Sequence, residues 1–522
     1  METLQTPAIN ETKEYSRKDG LIALCITMVV VIAGVSVTSY KKMGAEVDAE
    51  GNKIYTAAEL MAHNKVDDCW ITIDGFVFDM TESSKSHPGS FHCGGDGSAN
   101  YHKNHGPTIR SRMDPFRIGK LNPASAAQLL MPNTTATTTA ETINPTRELF
   151  VEEGSWNTLE MMIVMERDNK SLLAIDGATH KPIGRVKDIG KQVHTQVFSP
   201  DGNFTYHISR DGWLTKIDLH TLKPVGVVRV GEDSRGTAIT DSGKYVAIGN
   251  YEPKQVVIID AETLAIITKI ELLDTRDGTI THSRAGAVVE NGEKFIVSLK
   301  DGRSVWVIDT TKRGMPVSNY FWDLGKEGDV LHDGYLTPDG KFYLTAVQGS
   351  DVAWVLDTEK MKPVAEVKAG KTPHTGPGAT WGNYTFVPSL GEGILTAIDM
   401  RTWTAAAYIK TAGAGLFTRS YHKDPSYPYI WVDTAFGAEG QDEIDVIDGN
   451  TLKVVRKLIP MADKRAVHPE FTRNGKYVYV AVWTGNKVFV YNANTFEVVT
   501  TIDAFTPTGI SNVGIRIEEP GL

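Results

Sequence analysis

Cysteine is scarce in this sequence, and there is no excess of positive charge. Three cysteines in 522 residues exclude a disulfide scaffold. The 54 lysines and arginines are outnumbered by 64 acidic residues, which argues against a nucleic-acid-binding protein. Hydrophobic residues at 41% and charged residues at 23% are ordinary for a globular protein. Wholesale disorder and a polytopic membrane protein are therefore excluded.

One long segment carries no charge, and it runs from Leu21 to Tyr40. Twenty residues at about 1.5 Å each span about 30 Å, which matches the core of a bilayer. The alternative is a cleaved signal peptide, whose apolar region is normally about 7–15 residues long. We therefore predict an N-terminal tail over 1–20 and a single transmembrane anchor over 21–40. Basic residues are balanced on the two sides, so the orientation stays open.

The segment after the anchor predicts a small α+β domain over residues 45–121. KIYTAAELMAHN indicates a strand followed by a helix, and CWITIDGFVFDMT alternates like a β-hairpin. A glycine- and histidine-rich loop follows, and FRIGKL predicts a closing strand. Residues 122–146 are rich in threonine and proline, which is typical of a linker.

From residue 147 to 522 the chain repeats one unit, in which an apolar strand ends in Asp, a turn follows, and another apolar strand begins. Eight copies occur, at intervals of about 40–50 residues. Their marker residues are Asp176, Asp218, Asp260, Asp309, Asp357, Asp399, Asp448 and Asn492. This period with four short strands per unit predicts an eight-bladed β-propeller, so the fold class is mainly β. Loops from every blade of such a ring meet at one mouth of its axis.

Three histidines of the propeller stand in glycine-rich phrases just before the predicted inner strand of a blade. They are His194 in GKQVHTQVFSPDG, His332 in DVLHDGYLTPDG and His374 in AGKTPHTGPGA. Three histidines from separate blades at one mouth indicate a metal, a metallocofactor or acid–base chemistry on an anion.

The small domain resembles the cytochrome b5 family in CWITIDGFVFDMT, SHPG, CGGDGSANYHKNHG and FRIGKL. The resemblance implies a haem b held between two axial histidines, which match His87 and His105. His92 and His102 lie near enough to be rival ligands, and Ser90 replaces the usual second glycine. Two histidines close the iron to substrate, which makes an electron carrier. We interpret Cys69 and Cys93 as packing residues, and no Cys-x-x-Cys-His exists for a covalent haem.

The propeller resembles the haem d1 domain of cytochrome cd1 nitrite reductases and their relatives in haem d1 biosynthesis. LHDGYLTPDG, GKTPHTGPGA, SRDGWLTKIDL, GNYEPKQVVIIDAETL, VDTAFG and KRAVHPEF carry the likeness. The resemblance implies that His194 ligates the d1 iron and that His332 and His374 hold and protonate nitrite. Arg210 and Arg235 match motifs near the haem carboxylates, and a guanidinium suits a carboxylate. The b5-like domain stands where the reductases carry a c-type domain.

Three functions follow as hypotheses. The first is a membrane-anchored nitrite reductase that forms nitric oxide, takes electrons from an electron-donor protein or quinol-linked donor, and has its soluble domains on the periplasmic or outer face. The second is a maturation enzyme that oxidises a dihydro precursor of haem d1 and passes electrons to the b haem. The third is a carrier of haem d1. Nitrite or another small anion is the expected small partner, a homodimer is a further expectation, and no nucleic acid is expected.

Overall fold

The computed structural model describes residues 47–48, 51–86, 93–98, 101, 113–122, 142–274, 280–320, 324–376, 378–437 and 439–519. Two compact units divide the chain, residues 1–141 and 142–522. The predicted haem b ligands lie outside the described residues, as do the rival ligands, and these are His87, His105, His92 and His102.

The prediction of a membrane-anchored protein is corrected by the structure. Among the helices of the described ranges, none is both long and apolar enough to cross a bilayer. Residues 21–40, on which the prediction rested, lie outside those ranges. Our prediction of a protein anchored by a helix, with its soluble domains on the periplasmic or outer face, is therefore not supported.

In its described residues, the small unit is a mixed sheet with two short α-helices. Its helices are α1 (Ala57–Ala62) and α2 (Thr81–Ser86). Its strands are β1 (Ile54–Tyr55), β2 (Asn64–Lys65), β3 (Asp68–Ile73), β4 (Phe76–Asp79), β5 (Gly95–Asp96) and β6 (Arg117–Leu121). They pair in the order β1-β6-β4-β3-β2, and β5 pairs with β3. The predicted hairpin is confirmed as β3 and β4, joined by Asp74 and Gly75 with positive φ, as a tight hairpin turn requires.

Cys69 and Cys93 are not merely packing residues, as we had predicted, because a disulfide joins them. The bond connects β3 to the chain just before β5. Cys69 is fully buried beside Ile71 and Phe78 in the apolar core of this unit.

The second unit begins with a five-stranded sheet that both ends of the unit build. Its strands pair in the order β41-β8-β9-β10-β7. They are β7 (Thr146–Leu149), β8 (Met161–Glu166), β9 (Ser171–Asp176), β10 (Lys181–Lys187) and the C-terminal β41 (Pro507–Asn512). β41 runs antiparallel to β8, with Asn512 opposite Met162, and the helix α3 (Val513–Glu518) follows it. This pairing joins the end of the repeats to their beginning.

Seven further sheets each contain four antiparallel strands that follow one another in the chain. The first two contain β11 (Val193–Phe198), β12 (Phe204–Ser209), β13 (Trp213–Asp218) and β14 (Pro224–Arg229), and then β15 (Asp233–Ile239), β16 (Tyr245–Glu252), β17 (Gln255–Asp260) and β18 (Ile266–Glu271). The next two contain β21 (Ala285–Asn291), β22 (Lys294–Leu299), β23 (Val305–Asp309) and β24 (Val317–Tyr320), and then β25 (Leu331–Leu336), β26 (Phe342–Val347), β27 (Val352–Asp357) and β28 (Lys362–Lys368). The last three contain β29 (Ala379–Trp381), β30 (Tyr384–Pro388), β31 (Ile394–Asp399) and β32 (Thr404–Lys410), then β33 (Thr418–Ser420), β34 (Tyr429–Asp433), β35 (Ile444–Asp448) and β36 (Lys453–Leu458), and then β37 (Ala466–Phe471), β38 (Tyr477–Val482), β39 (Lys487–Asn492) and β40 (Val498–Asp503). In the chain between β18 and β21, a small hairpin contains β19 (Leu273–Asp274) and β20 (Thr281–His282). The unit therefore has a propeller-like, mainly β fold.

The repeated marker residue ends the third strand of each sheet, and its side chain builds the turn that follows. The carboxylate of Asp218 accepts the backbone N–H groups of His220 and Thr221, at 2.8 and 3.0 Å. Asn492 repeats this contact with Asn494 and Thr495. An Asx turn of this kind is the physical reason for the periodic Asp. Apolar side chains between neighbouring sheets form the core, as Ile163, Phe198 and Ile217 do between the first two.

Candidate functional site

The predicted propeller histidines lie on, or just before, the strands that stand first in their sheets, which we call the inner strands. Inner strands of adjacent sheets contact one another, as β11 and β15 do, and β21 and β25. His194 is the second residue of β11, and His332 is the second residue of β25. His374 stands just before β29, where its backbone N–H donates to the carbonyl of Pro388 at 2.9 Å.

His194 is a neutral imidazole with positively charged side chains around it. It lies at an irregularity in the pairing of β11 with β12, between Val193 and Thr195. Its Nδ1 is buried and has no hydrogen-bond partner. Desolvation by the surrounding protein and the charges of Arg210 and Arg235 hold the pKa of His194 well below its ordinary value. A neutral imidazole with a free nitrogen is the form that binds a metal.

Three arginines surround His194, and their positive charge is only partly compensated. Arg235 is paired with Asp233 through two contacts, of 2.5 and 2.9 Å. Arg210 and Arg167 each bury an Nε without a hydrogen-bond partner. Burial and the like charges of Arg235 and Arg167 lower the pKa of Arg210 to about 10. This environment favours a ligand that carries carboxylates.

Lys300 lies near the arginines and near His332. Its ammonium donates to the hydroxyl of Tyr251, whose ring also lies beneath the guanidinium of Arg235 at 4.5 Å. Burial and the charge of Arg284 lower the pKa of Lys300 to about 8. The Lys300 charge also acts on His332, so the two groups of charged residues belong to one region.

Asp333 is hydrogen-bonded to His374 and lies close to His332. The Nε2 of His374 lies 2.9 Å from Oδ2 of Asp333, and the Nδ1 of His332 lies 3.9 Å from Oδ1. The centres of the two imidazole rings are 5.4 Å apart. Burial alone would raise the pKa of Asp333, but His374 and His332 hold it well below its usual range. Asp333 is therefore an anion that accepts the Nε2–H of His374.

The Asp333 contact decides which nitrogen of His374 is free. A neutral imidazole carries one proton, so donation from Nε2 leaves Nδ1 as a lone pair. That Nδ1 is buried and has no hydrogen-bond partner. Burial lowers the pKa of His332 to about 4, which makes this ring neutral at pH 7. One ligand atom from each of these three residues can come within 4.8 Å of the others, a spacing that a metal ion could also use.

His468 is a site residue that our sequence analysis missed. It occupies a bulge in the inner strand β37 with a φ of 58°, which is strained for a residue with a side chain. The Nδ1 of His468 accepts the backbone N–H of Ile510 at 2.7 Å, so Nε2 carries the proton. The Nε2 is buried without a partner.

Phe417 connects His468 to the predicted histidines. Its ring lies 4.3 Å from that of His468 and meets the ring of His374 edge to face at 5.9 Å. The phrase KRAVHPEF was part of the resemblance, and it begins an inner strand as the phrases of His194 and His332 do. This shared position was the signal that could have identified His468.

The structure therefore places the predicted residues in two neighbouring groups. His194 lies with Arg210 and Arg235, whereas His332 and His374 lie with Asp333. Buried nitrogens without partners occur in both groups. Such a donor set fits an iron-containing macrocycle that carries carboxylates, since imidazole binds iron and guanidinium binds carboxylate.

Comparison with known proteins identifies both units. Residues 156–516 match the cytochrome D1 heme domain, and residues 56–122 match the cytochrome b5-like heme/steroid binding domain. The two haems of the protein are therefore haem b and haem d1.

The proteins similar to the propeller unit include a dihydro-heme d1 dehydrogenase and protein NirF. The dihydro-heme d1 dehydrogenase of Pseudomonas aeruginosa is 33% identical over 364 residues, covering 69% of this chain and 72% of that protein. Protein NirF of Stutzerimonas stutzeri is 30% identical, covering 70% of this chain and 94% of that protein. The solved structure of dihydro-heme d1 dehydrogenase NirN in complex with DHE is 30% identical with a TM-score of 0.64, covering 76% of this chain and 88% of that one.

These relatives overturn our prediction that the enzyme is a nitrite reductase. A nitrite reductase of Stutzerimonas stutzeri also matches, but at 27% identity, below the dehydrogenase and NirF. By the match of its propeller and by its identity to the dehydrogenase, the chain belongs to the cytochrome D1 heme domain family.

Proposed function

We propose that this protein oxidises a dihydro precursor of haem d1 to haem d1, with haem b as the electron acceptor. The reaction is dihydro-haem d1 → haem d1 + 2 H⁺ + 2 e⁻. The Asp333–His374 pair carries the proposal, because it presents a free imidazole nitrogen to a reaction that releases protons. The similarity to a dihydro-heme d1 dehydrogenase supports the same direction of electron flow.

The arginine group binds and orients the substrate. The guanidinium groups of Arg210 and Arg235 bind its carboxylates. The neutral imidazole of His194 ligates its iron through Nδ1. The proton on Nε2 of His468 is a hydrogen-bond donor for an oxygen of the substrate. The contacts of Arg210, His194 and His468 use buried nitrogens that otherwise lack a hydrogen-bond partner, so binding removes a desolvation penalty.

His374 acts as the general base. Its Nδ1 accepts a substrate proton, and the anionic Asp333 stabilises the imidazolium that forms. His332 lies 5.4 Å away, measured between ring centres, and 35% of its side chain is exposed. It therefore passes the proton towards solvent.

Haem b, when bound between His87 and His105, accepts one electron at a time. Two electrons therefore leave in succession to a one-electron acceptor protein. We also propose that the eight sheets are the eight blades of one ring, with the inner strands around its axis.

The test is a single-turnover reaction. The purified protein is loaded anaerobically with dihydro-haem d1, mixed with a one-electron acceptor dye, and followed by absorbance. We expect conversion to haem d1 in wild type and a rate about 10²–10⁴-fold lower in His374→Ala. His282→Asn, an exposed histidine paired with Glu271 outside the site, should react as wild type does. Tight retention of the precursor without conversion would contradict the proposal and indicate a carrier.

A further inference from the structure

Asp433 is a fully buried carboxylate at the end of β34, and its hydrogen-bond partners are backbone N–H groups. Its Oδ1 accepts the backbone N–H groups of Leu416 and Phe417, at 2.6 and 3.1 Å. Its Oδ2 accepts the backbone N–H of His468 at 3.0 Å. One side chain thus joins the loop before β33 to the bulge of β37.

The two segments that Asp433 joins carry the rings of Phe417 and His468. The Phe417 ring contacts both His374 and His468. His468 keeps a left-handed backbone conformation, which persists only where the surroundings hold it. Two hydrogen bonds hold His468 in place. Its own backbone N–H donates to Asp433, and the backbone N–H of Ile510 donates to its ring.

We propose that Asp433 is a positioning residue that fixes Phe417 and His468 in the geometry that catalysis needs. The inference rests on the proposed oxidation of dihydro-haem d1. Three donors converge on two carboxylate oxygens, so an amide at this position cannot satisfy all three. Whichever way the amide turns, its NH2 group faces at least one backbone N–H. The bulge or the loop then shifts, and the two rings with it.

Asp445 supplies a matched control in the same sheet. It is also fully buried, and its Oδ2 accepts one backbone N–H, from Ala412 at 2.9 Å. Asp445 lies on β35, the third strand, and no ring of the site depends on it. An amide at Asp445 keeps the acceptor that the Ala412 contact needs, and the Oδ1 of Asp445 lies 3.9 Å from the ammonium of Lys457.

The experiment compares Asp433→Asn, Asp445→Asn and wild type in the single-turnover oxidation and in titration with dihydro-haem d1. We expect kcat of Asp433→Asn to fall at least tenfold, since a misplacement of about 1 Å can cost about 10²-fold. KM should stay within about threefold of wild type, because the arginine group still binds the substrate. The absorption spectrum of the bound substrate should shift, and Asp445→Asn should match wild type in every measurement.

Equal activity of Asp433→Asn and Asp445→Asn, with an active wild type, would overturn the inference and leave the proposed function intact. An inactive wild type would instead overturn the proposed function. If Asp433→Asn fails to fold, Phe417→Leu decides the question. It removes the ring that Asp433 holds but keeps the carboxylate, and it should lower kcat by a similar factor. A wild-type kcat in Phe417→Leu would refute the inference.

Discussion

Replacing Asp333 by Asn tests the proton chemistry without altering the size of the side chain. The wild-type carboxylate can only accept, so it fixes the proton of His374 on Nε2 and leaves Nδ1 free. An amide can present its NH2 group to the ring, and the proton then moves to Nδ1. The base is lost in that tautomer, although His374 is still present.

The magnitude follows from the role of the base. General acid–base catalysis contributes about 10²–10⁴-fold, which corresponds to about 3–5 kcal/mol of transition-state stabilisation. We expect kcat of Asp333→Asn to fall by this factor. Affinity for dihydro-haem d1 should change little, because Arg210, Arg235 and His194 lie in the other group. When the amide NH2 faces His374, the N–H of Gly376 loses its acceptor, because in wild type it donates to the same Oδ2 at 3.1 Å.

The assay is the single-turnover oxidation, with substrate binding measured separately by titration. Asp339→Asn is the control, since Asp339 stands in the turn after β25 and accepts the hydroxyl of Thr337. A rate for Asp333→Asn within threefold of the control would refute the reasoning, because His374 would then not depend on Asp333 for its tautomer.

Three further predictions concern other parts of the molecule. Arg210→Gln should weaken binding of dihydro-haem d1 about tenfold in a spectroscopic titration, since a charge-assisted hydrogen bond contributes about 1.5–3 kcal/mol, and unchanged affinity would contradict a carboxylate contact. His207 is fully buried, and burial lowers its pKa to about 3, so the unfolded chain alone takes up a proton as the pH falls below 6.5. Wild type should therefore lose about 2 kcal/mol of stability to urea between pH 7.5 and pH 5 that His207→Leu does not lose. The fragment 45–121 should bind one haem b with a low-spin spectrum. His87→Ala or His105→Ala should abolish that spectrum, whereas His92→Ala or His102→Ala should keep it. A low-spin spectrum in His105→Ala would show that another residue is the second ligand.

The repeats were predictable because local chemistry creates them. Each marker residue builds its own turn from backbone donors two or three positions away, so the periodic Asp reports the strand ends directly. The hairpin of β3 and β4 was predictable for the same reason, since Asp74 and Gly75 suit its turn.

The charges and tautomers of the site could not be predicted in this way, because they depend on contacts between distant segments. The sequence places Asp333 beside His332, but only the fold brings its carboxylate to His374. The predicted Arg235 is already paired with Asp233, whereas the predicted Arg210 keeps a free Nε, and the sequence does not distinguish them. His468 faces the site only because β37 bulges there.

The direction of the reaction is the central claim, and the mass of the bound tetrapyrrole tests it most directly. The protein is loaded with dihydro-haem d1, supplied with a one-electron acceptor, and its non-covalent tetrapyrrole is then extracted and weighed by mass spectrometry. Our account predicts a product two hydrogens lighter than the precursor, formed in wild type and strongly retarded in Asp333→Asn. A precursor of unchanged mass after prolonged incubation with the acceptor would contradict it.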